Sequence, residues 1–450
     1  MRTLGLGSLG WSLLLAGCGG DGPAANESTG AETSGPGTGM DSSSADPSAG
    51  SSGPGGETGT EGPGSSSGPA DDSSGDSSSS GGSPACGQRG GSDPGPFAPN
   101  PDLDPLADNT ALDLGAYECA SRMPQIADHC ELITDYSRLN YDPYVHRILM
   151  FGGGHAATGR TDVDVLDFST LSWSSLYPSM SCDEVALGDL DGLGFHNATG
   201  HPVARHTYDQ SVVVDDGGAG RLLLLSTEGF AGYCHQYDAS IRAVAALPLD
   251  PACTQWQHGG QFDFPWSYAA AAEFDPVSGM VIMVGQTTNA GEGGMWVFDP
   301  TTEEIVAYVD AVEYEGIAGN LVYFPPNERM YLFMVDGGVR ELVLDRANWG
   351  ASTSALLAAD GPAPPNGETG YAYDSRNQVI GGAVADGTFH VFDPTTQTWC
   401  AEPMLAASKE QAQVGTVAFH ALDYDPVDNV YVFLADGPSG RRTWAYRWRG

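Results

Sequence analysis

Lysine is almost absent from this chain: Lys409 stands alone, and 18 basic residues face 58 acidic ones for a formal net charge of -40. A surplus of that sign repels phosphate backbones and anionic headgroups. Nucleic acid and peripheral lipid binding are excluded, and cations or neutral ligands remain. The chain also lacks a membrane-crossing run at its start, where the apolar stretch from Leu4 to Leu15 is diluted by glycine and falls short of the roughly 18 to 20 residues a spanning helix requires. No Cys-x-x-Cys or cysteine–histidine spacing of zinc type occurs, no EF-hand loop with its closing Glu, and no acidic dyad or nucleophile motif.

What is present at the N-terminus reads as an export signal. Arg2 supplies a positive charge, the short apolar stretch follows, and Leu15-Ala16-Gly17-Cys18 closes it with small residues before a cysteine. That tetrapeptide resembles the bacterial lipobox, which implies cleavage before Cys18 and its diacylation. Gly19 follows Cys18 where an inner-membrane retention signal would place Asp. The expected location is therefore the outer membrane or cell surface, with membrane contact through the lipid anchor only. From there to about Pro84 the chain is almost entirely Gly, Ser, Pro, Thr, Ala and Asp, a composition that cannot bury enough apolar surface to offset its chain entropy. Such a tether would hold the rest of the protein about 45 to 50 Å from its anchor. The predicted organisation is a signal peptide over 1–17, a disordered tether over 18–100 and a folded domain over 101–450.

That domain repeats a two-part phrase at a period of about fifty residues. An aromatic-Asp-Pro turn comes first, then an apolar run, then a second turn followed by Trp, as in Phe274-Asp275-Pro276 with Phe298-Asp299-Pro300, and Tyr373-Asp374 with Phe392-Asp393-Pro394 and Trp399. Two tight turns per unit describe a blade of four antiparallel strands, and the fold class is an all-β propeller. First turns fall near Asp142, Asp215, Asp275, Pro325, Asp374 and Asp425, and second turns near Asp167, Asp238, Asp299, Asp345 and Asp393. The sixth unit ends after its third strand, near Thr443 to Trp448, so its outer strand must come from the N-terminal side, with Ala111 to Met123 as donor. Six blades are expected; a seventh would require 101–135 to form a degenerate blade of its own.

Arg147-Ile148-Leu149-Met150-Phe151-Gly152-Gly153-Gly154, then Asp164-Val165-Leu166-Asp167 and Trp173, resembles the Kelch repeat, and Arg205-His206 before Val212 to Val214 resembles its first-strand opening. The resemblance covers roughly 135 to 450 and weakens after the first blade. It implies the fold of the central domain of galactose oxidase. Copper-radical oxidation on that fold needs ligands from a domain after the propeller, and here the sequence given stops with the last blade, so copper is not expected.

Turns between first and second, and third and fourth, strands lie on one face; the remaining loops open on the other. The long segments Gly152–Thr161, Pro178–Ala204, Leu249–Pro265 and Gln286–Gly294 are assigned to that second face, which is where binding residues usually stand. His155, Arg205, His206, Tyr208, Trp266 and Tyr268 are the candidate ligand-binding set there, with Arg205 and His206 opening an innermost strand. The seven cysteines left after lipidation of Cys18 read as disulfide partners in an oxidising compartment; Cys182 with Cys234 and Cys119 with Cys130 are the expected pairs. The leading function is a monomeric module that binds a glycan or an envelope protein without catalysis. A polysaccharide lyase or sugar epimerase using Arg205, His206 and Tyr208 is the alternative, and a calcium-stabilised structural protein, suggested by Asp162, Asp164, Asp183, Glu184, Asp189 and Asp191, is the third reading.

Overall fold

The computed structural model of the chain describes residues 96–117, 137–151, 161–179, 190–203, 205, 207–215, 220–225, 243–249, 255–261, 270–286, 293–310, 312, 318–365, 369–383, 386–437 and 440–449. By internal contacts the chain divides into Met1–Ser83 and Pro84–Gly450. Among the described residues no helix is long and apolar enough to cross a membrane.

The second unit contains six four-stranded antiparallel sheets. The first blade is β2 (Asn140–Asp142), β3 (Arg147–Phe151), β4 (Val163–Asp167) and β5 (Ser172–Ser175), from the axis outward. The second is β6 (Ser211–Val214), β7 (Arg221–Leu224), β8 (Ala243–Pro248) and β9 (Gln257–Gln261). The third is β10 (Ala271–Asp275), β11 (Met280–Gln286), β12 (Gly293–Asp299) and β13 (Glu304–Val309); the fourth is β14 (Ala318–Phe324), β15 (Arg329–Met334), β16 (Val339–Val343) and β17 (Thr353–Leu356). The fifth is β18 (Ala372–Asp374), β19 (Val379–Ala383), β20 (Thr388–Asp393) and β21 (Thr398–Pro403). The sixth takes β22 (Val417–Asp425), β23 (Val430–Gly437) and β24 (Gly440–Arg447) from the end of the chain and β1 (Thr110–Ala116) from before the first blade.

The donated outer strand is thus found where the incomplete sixth unit required it, with Thr110 opposite Arg447 and Ala116 opposite Arg442. Innermost strands touch in ring order and β22 meets β2, so no sheet edge is left at the axis. Apolar side chains pack between neighbouring blades. At the closing seam Ile148 and Leu166 of the first blade bury against Ala418, Val430 and Val432 of the sixth. Trp173, the tryptophan of the first repeat, spans the same seam by donating its indole N–H to Thr443 Oγ1 at 2.7 Å.

The repeated Asp has a local cause. Asp142, Asp167, Asp299, Asp393 and Asp425 each accept the backbone N–H two residues on through Oδ1, at 2.7 to 2.9 Å, the Asx turn that begins a tight hairpin. The residue that re-enters the second strand has positive φ in all six first turns: His146, Gly220, Gly279, Glu328, Gln378 and Asn429. Gly381-Gly382 of β19 answers to packing instead, since a Cβ on Gly381 would lie 2.6 Å from the Tyr431 ring and one on Gly382 2.7 Å from the Tyr371 ring.

Three expectations are corrected in the second blade. Asp238 precedes the third strand, β8, and is not the turn after it; the connection from β8 to β9 spans 249–256 and carries Leu249-Asp250-Pro251. Leu249 N–H donates to Gly220 O at 3.0 Å, which puts the start of the segment Leu249–Pro265 beside the first turn of its own blade and off the loop-bearing face. The innermost strand opens at Ser211, not at Arg205-His206. A positive φ of 44° at Tyr208 keeps Arg205 and Tyr208 out of one continuous strand. The remaining disulfide candidates, Cys119, Cys130, Cys182 and Cys234, and the lipidation candidate Cys18 lie outside the described residues.

Candidate functional site

Six short innermost strands of alternating residues leave one side chain per blade pointing at the ring axis. Just before the first turns this produces a cavity of about 350 Å³ lined from every blade. Tyr141, Val213, Phe274, Tyr323 and Tyr373 supply apolar and aromatic wall, and Pro143, Pro276, Pro325 and Pro426 of the turns form its rim. It therefore opens toward the turn face.

The polar part of the wall is held by a network drawn from five of the six blades. Arg138 donates from Nη1 to Ala272 O at 2.9 Å and from Nη2 to Glu273 Oε2 at 2.8 Å, and Nη1 stands 3.3 Å from Asp209 Oδ1. Asp209 accepts Asn320 Nδ2 and the Leu321 N–H, both at 2.7 Å. Asp423 accepts the Tyr141 N–H at 2.5 Å and the Tyr424 N–H at 2.8 Å. Carboxylates outnumber the single guanidinium, so the cavity floor is an acceptor-rich surface around one fixed cation.

Burial sets the protonation of these groups. It pushes Asp209 up to about 7 and Asp423 up to about 6, in each case against the pull of Arg138. Burial also works against the Arg138 charge, but Asp209, Glu273 and Asp423 more than offset it, and the guanidinium stays charged. His420, on the bulged part of β22, is driven down to about 3 by burial and then by Arg138 and is neutral. Burial, then Asp374, raises the Tyr373 phenol to about 12, and burial, then Asp275, raises that of Tyr323, leaving both as hydroxyl groups able to donate.

Of the residues singled out from sequence, Arg205 and Tyr208 are described, and neither is displayed at a mouth. Arg205 is fully buried, donates to Ala243 O at 3.1 Å, and is lowered to about 10 by burial. Tyr208 is also buried, bridges Ser137 through its backbone, and sets its ring edge-on to His420. His155, His206, Trp266 and Tyr268 lie outside the described residues. Of the acidic stretches, Asp162 accepts Ser175 Oγ, Asp164 accepts the Tyr117 hydroxyl, and Asp191 accepts the Leu193 and Phe195 N–H groups; Asp183, Glu184 and Asp189 lie outside the described residues. The axial residues Arg138, Tyr141, Glu273, Tyr323 and Asp423 went unread in the sequence. Their signal was positional, since each aromatic or acid stands one to three residues before a first turn.

No family model matches the chain, and no curated protein matches it. Among solved structures, an auxiliary nutrient binding protein from Bacteroides ovatus aligns with a TM-score of 0.44 at 11% identity, covering 78% of this chain and 75% of that one. A gluconolactonase from Xanthomonas campestris aligns with a TM-score of 0.40 at 10% identity, covering 80% of this chain and 99% of that one.

Proposed function

We propose that the protein is an exported, lipid-anchored propeller that binds a glycan in its axial cavity without turning it over. The observation that carries this reading is the composition of the cavity wall, where Tyr141, Phe274, Tyr323 and Tyr373 stand with Glu273 and Asp423 in one space of about 350 Å³. Aromatic faces take the C–H faces of sugar rings, and carboxylates accept their hydroxyl groups. Arg138 would hold Glu273 in place and discourage a cationic ligand. The Kelch-like run from Arg147 to Trp173, the lipobox-like Leu15-Ala16-Gly17-Cys18 and the tether after it support a surface module on a leash. Disulfides within the cysteine set are part of the same exported reading.

The test is a glycan array followed by calorimetry on any hit, with Tyr323→Ala and Asp423→Asn as variants. Binding lost in both variants while the melting temperature stays within about 3 °C supports the reading. Binding that persists in both places the site elsewhere, and capture of an envelope protein in place of any glycan favours the protein-partner form. Release of cleaved or epimerised product would favour the carbohydrate-active enzyme.

A further inference from the structure

At the seam where the ring closes, the first turn of the first blade abuts the first turn of the sixth. His146 occupies the positive-φ position of its turn, with φ of 59°, and its Nε2 points across the seam. It lies 3.2 and 3.1 Å from Asp425 Oδ1 and Oδ2 and 3.6 Å from Asp428 Oδ2. The imidazole is stacked on Phe168 at 4.8 Å and on Phe97 at 5.3 Å. Those rings fix its plane and leave its Nε2 edge turned toward the two carboxylates.

The group is closed off from solvent. Both aspartate side chains are fully buried, and His146 is 8% exposed in its side chain. Two carboxyl groups and one imidazole thus share one enclosed space. Nearby cations are engaged elsewhere: Arg147 pairs with Asp142 at 2.8 Å, and Arg447 donates to the backbone carbonyls of Leu103, Asp104, Leu106 and Asp428. Asp428 Oδ1 accepts the Asn100 N–H at 2.6 Å, whereas its Oδ2, buried and turned toward His146, has no hydrogen-bond partner among the described residues. A buried carboxylate oxygen left without donor or cation is costly.

From this geometry we propose that His146, Asp425 and Asp428 form a divalent transition-metal site, of the Zn²⁺ class, that clasps the first blade to the last. One imidazole nitrogen with two carboxylate oxygens suits zinc, whereas Ca²⁺ requires six to eight oxygens. Ligands of a tetrahedral ion bound at 2.0 to 2.1 Å stand about 3.3 Å apart. The observed separations of 3.1 and 3.6 Å bracket that value, and the three ligand atoms all lie within 4.8 Å of one another. Water would take the fourth position. A cavity of about 350 Å³ lined by Phe97, Asn100, His146 and Phe168 reaches the imidazole.

The experiment strips the purified full-length protein with a chelator, then titrates Zn²⁺ by calorimetry and follows melting with and without the ion. One equivalent should bind, and an ion at about a hundredfold over its Kd should raise Tm by about 3 to 6 °C. Co²⁺ in its place should show the visible absorption of tetrahedral coordination. His146→Ala and Asp428→Asn should each lose the stoichiometric binding, the Tm rise and the Co²⁺ spectrum. Asp428→Asn keeps the shape of the side chain and decides the matter if His146→Ala fails to fold. Absence of saturable Zn²⁺ binding to the wild type overturns the proposal and leaves an ion triad holding a shared proton. Binding that survives in Asp428→Asn overturns it equally, because the ion then sits elsewhere.

Discussion

Arg346 grips Asp275 through two parallel hydrogen bonds, Nε to Oδ2 at 2.8 Å and Nη2 to Oδ1 at 2.9 Å. The arginine comes from a second-type turn of the fourth blade, the aspartate from the first turn of the third, so the pair joins neighbouring blades on the turn face. Asp275 is fully buried, which makes the guanidinium its main compensation; Ser278 Oγ adds one neutral donor at 2.6 Å.

Arg346→Ala should therefore destabilise the propeller by about 2 to 4 kcal/mol, because a buried carboxylate loses its charged partner. Arg346→Lys should restore less than the full amount, since an ammonium cannot make the planar double contact. Urea denaturation midpoints at constant slope measure both. A loss in the alanine variant of under about 0.5 kcal/mol, the range of an ordinary surface change, would show that the pair contributes no more than an exposed salt bridge.

Closure of the ring depends on β1. Deleting residues 96–117 would uncover the β24 edge and the seam cluster that Leu103, Leu106 and Tyr117 help to fill. The truncated protein should lose its cooperative melt and elute as high-mass species, since an unpaired edge recruits other chains. A monomeric, cooperatively melting truncation would mean that the remaining strands close the ring unaided.

Asp209 predicts a pH dependence of known sign. Its folded-state value, about 7, lies above the ordinary carboxylate value near 4, so the folded protein binds the proton more tightly. The contribution of this group to stability is fully present below about pH 4 and is lost as pH rises through about 7. Asp209→Asn removes that dependence, so its stability relative to the wild type should improve steadily from pH 4 to pH 8. Parallel stability curves for the two proteins would show that Arg138 holds the carboxylate ionised throughout.

Cys18→Ser should convert the protein from detergent-partitioning to soluble, with the acyl mass lost from the N-terminal peptide. Unchanged membrane association of the variant would remove the lipid anchor from the proposed function.

The second blade shows how far sequence reading reached. Most turns were legible because an Asp side chain binding the N–H two residues on is a local event, complete within four residues. The same signal was present in Leu249-Asp250-Pro251, but Asp238 stood nearer the expected spacing and drew the assignment, which displaced the third strand. Arg205 shows the opposite limit. A polar residue before an apolar strand reads as a surface clamp, and only packing reveals that its guanidinium is fully enclosed and donates to Ala243 O.

Local chemistry written in the sequence determined that there would be four-stranded units, and that a sixth and last unit would borrow its outer strand from the N-terminal side unless 101–135 formed a seventh. Turn hydrogen bonds and strand alternation act over a few residues, and an unfilled sheet edge is evident from a count of strands. The contents of the axis and the seam were decided by the tertiary structure alone. Arg138, Glu273 and Asp423, like His146 and Asp428, are separated by more than a hundred residues and become neighbours only when six blades close into a ring. Burial, which raises Asp209 and Asp423, is likewise a property of the closed ring and of no segment within it.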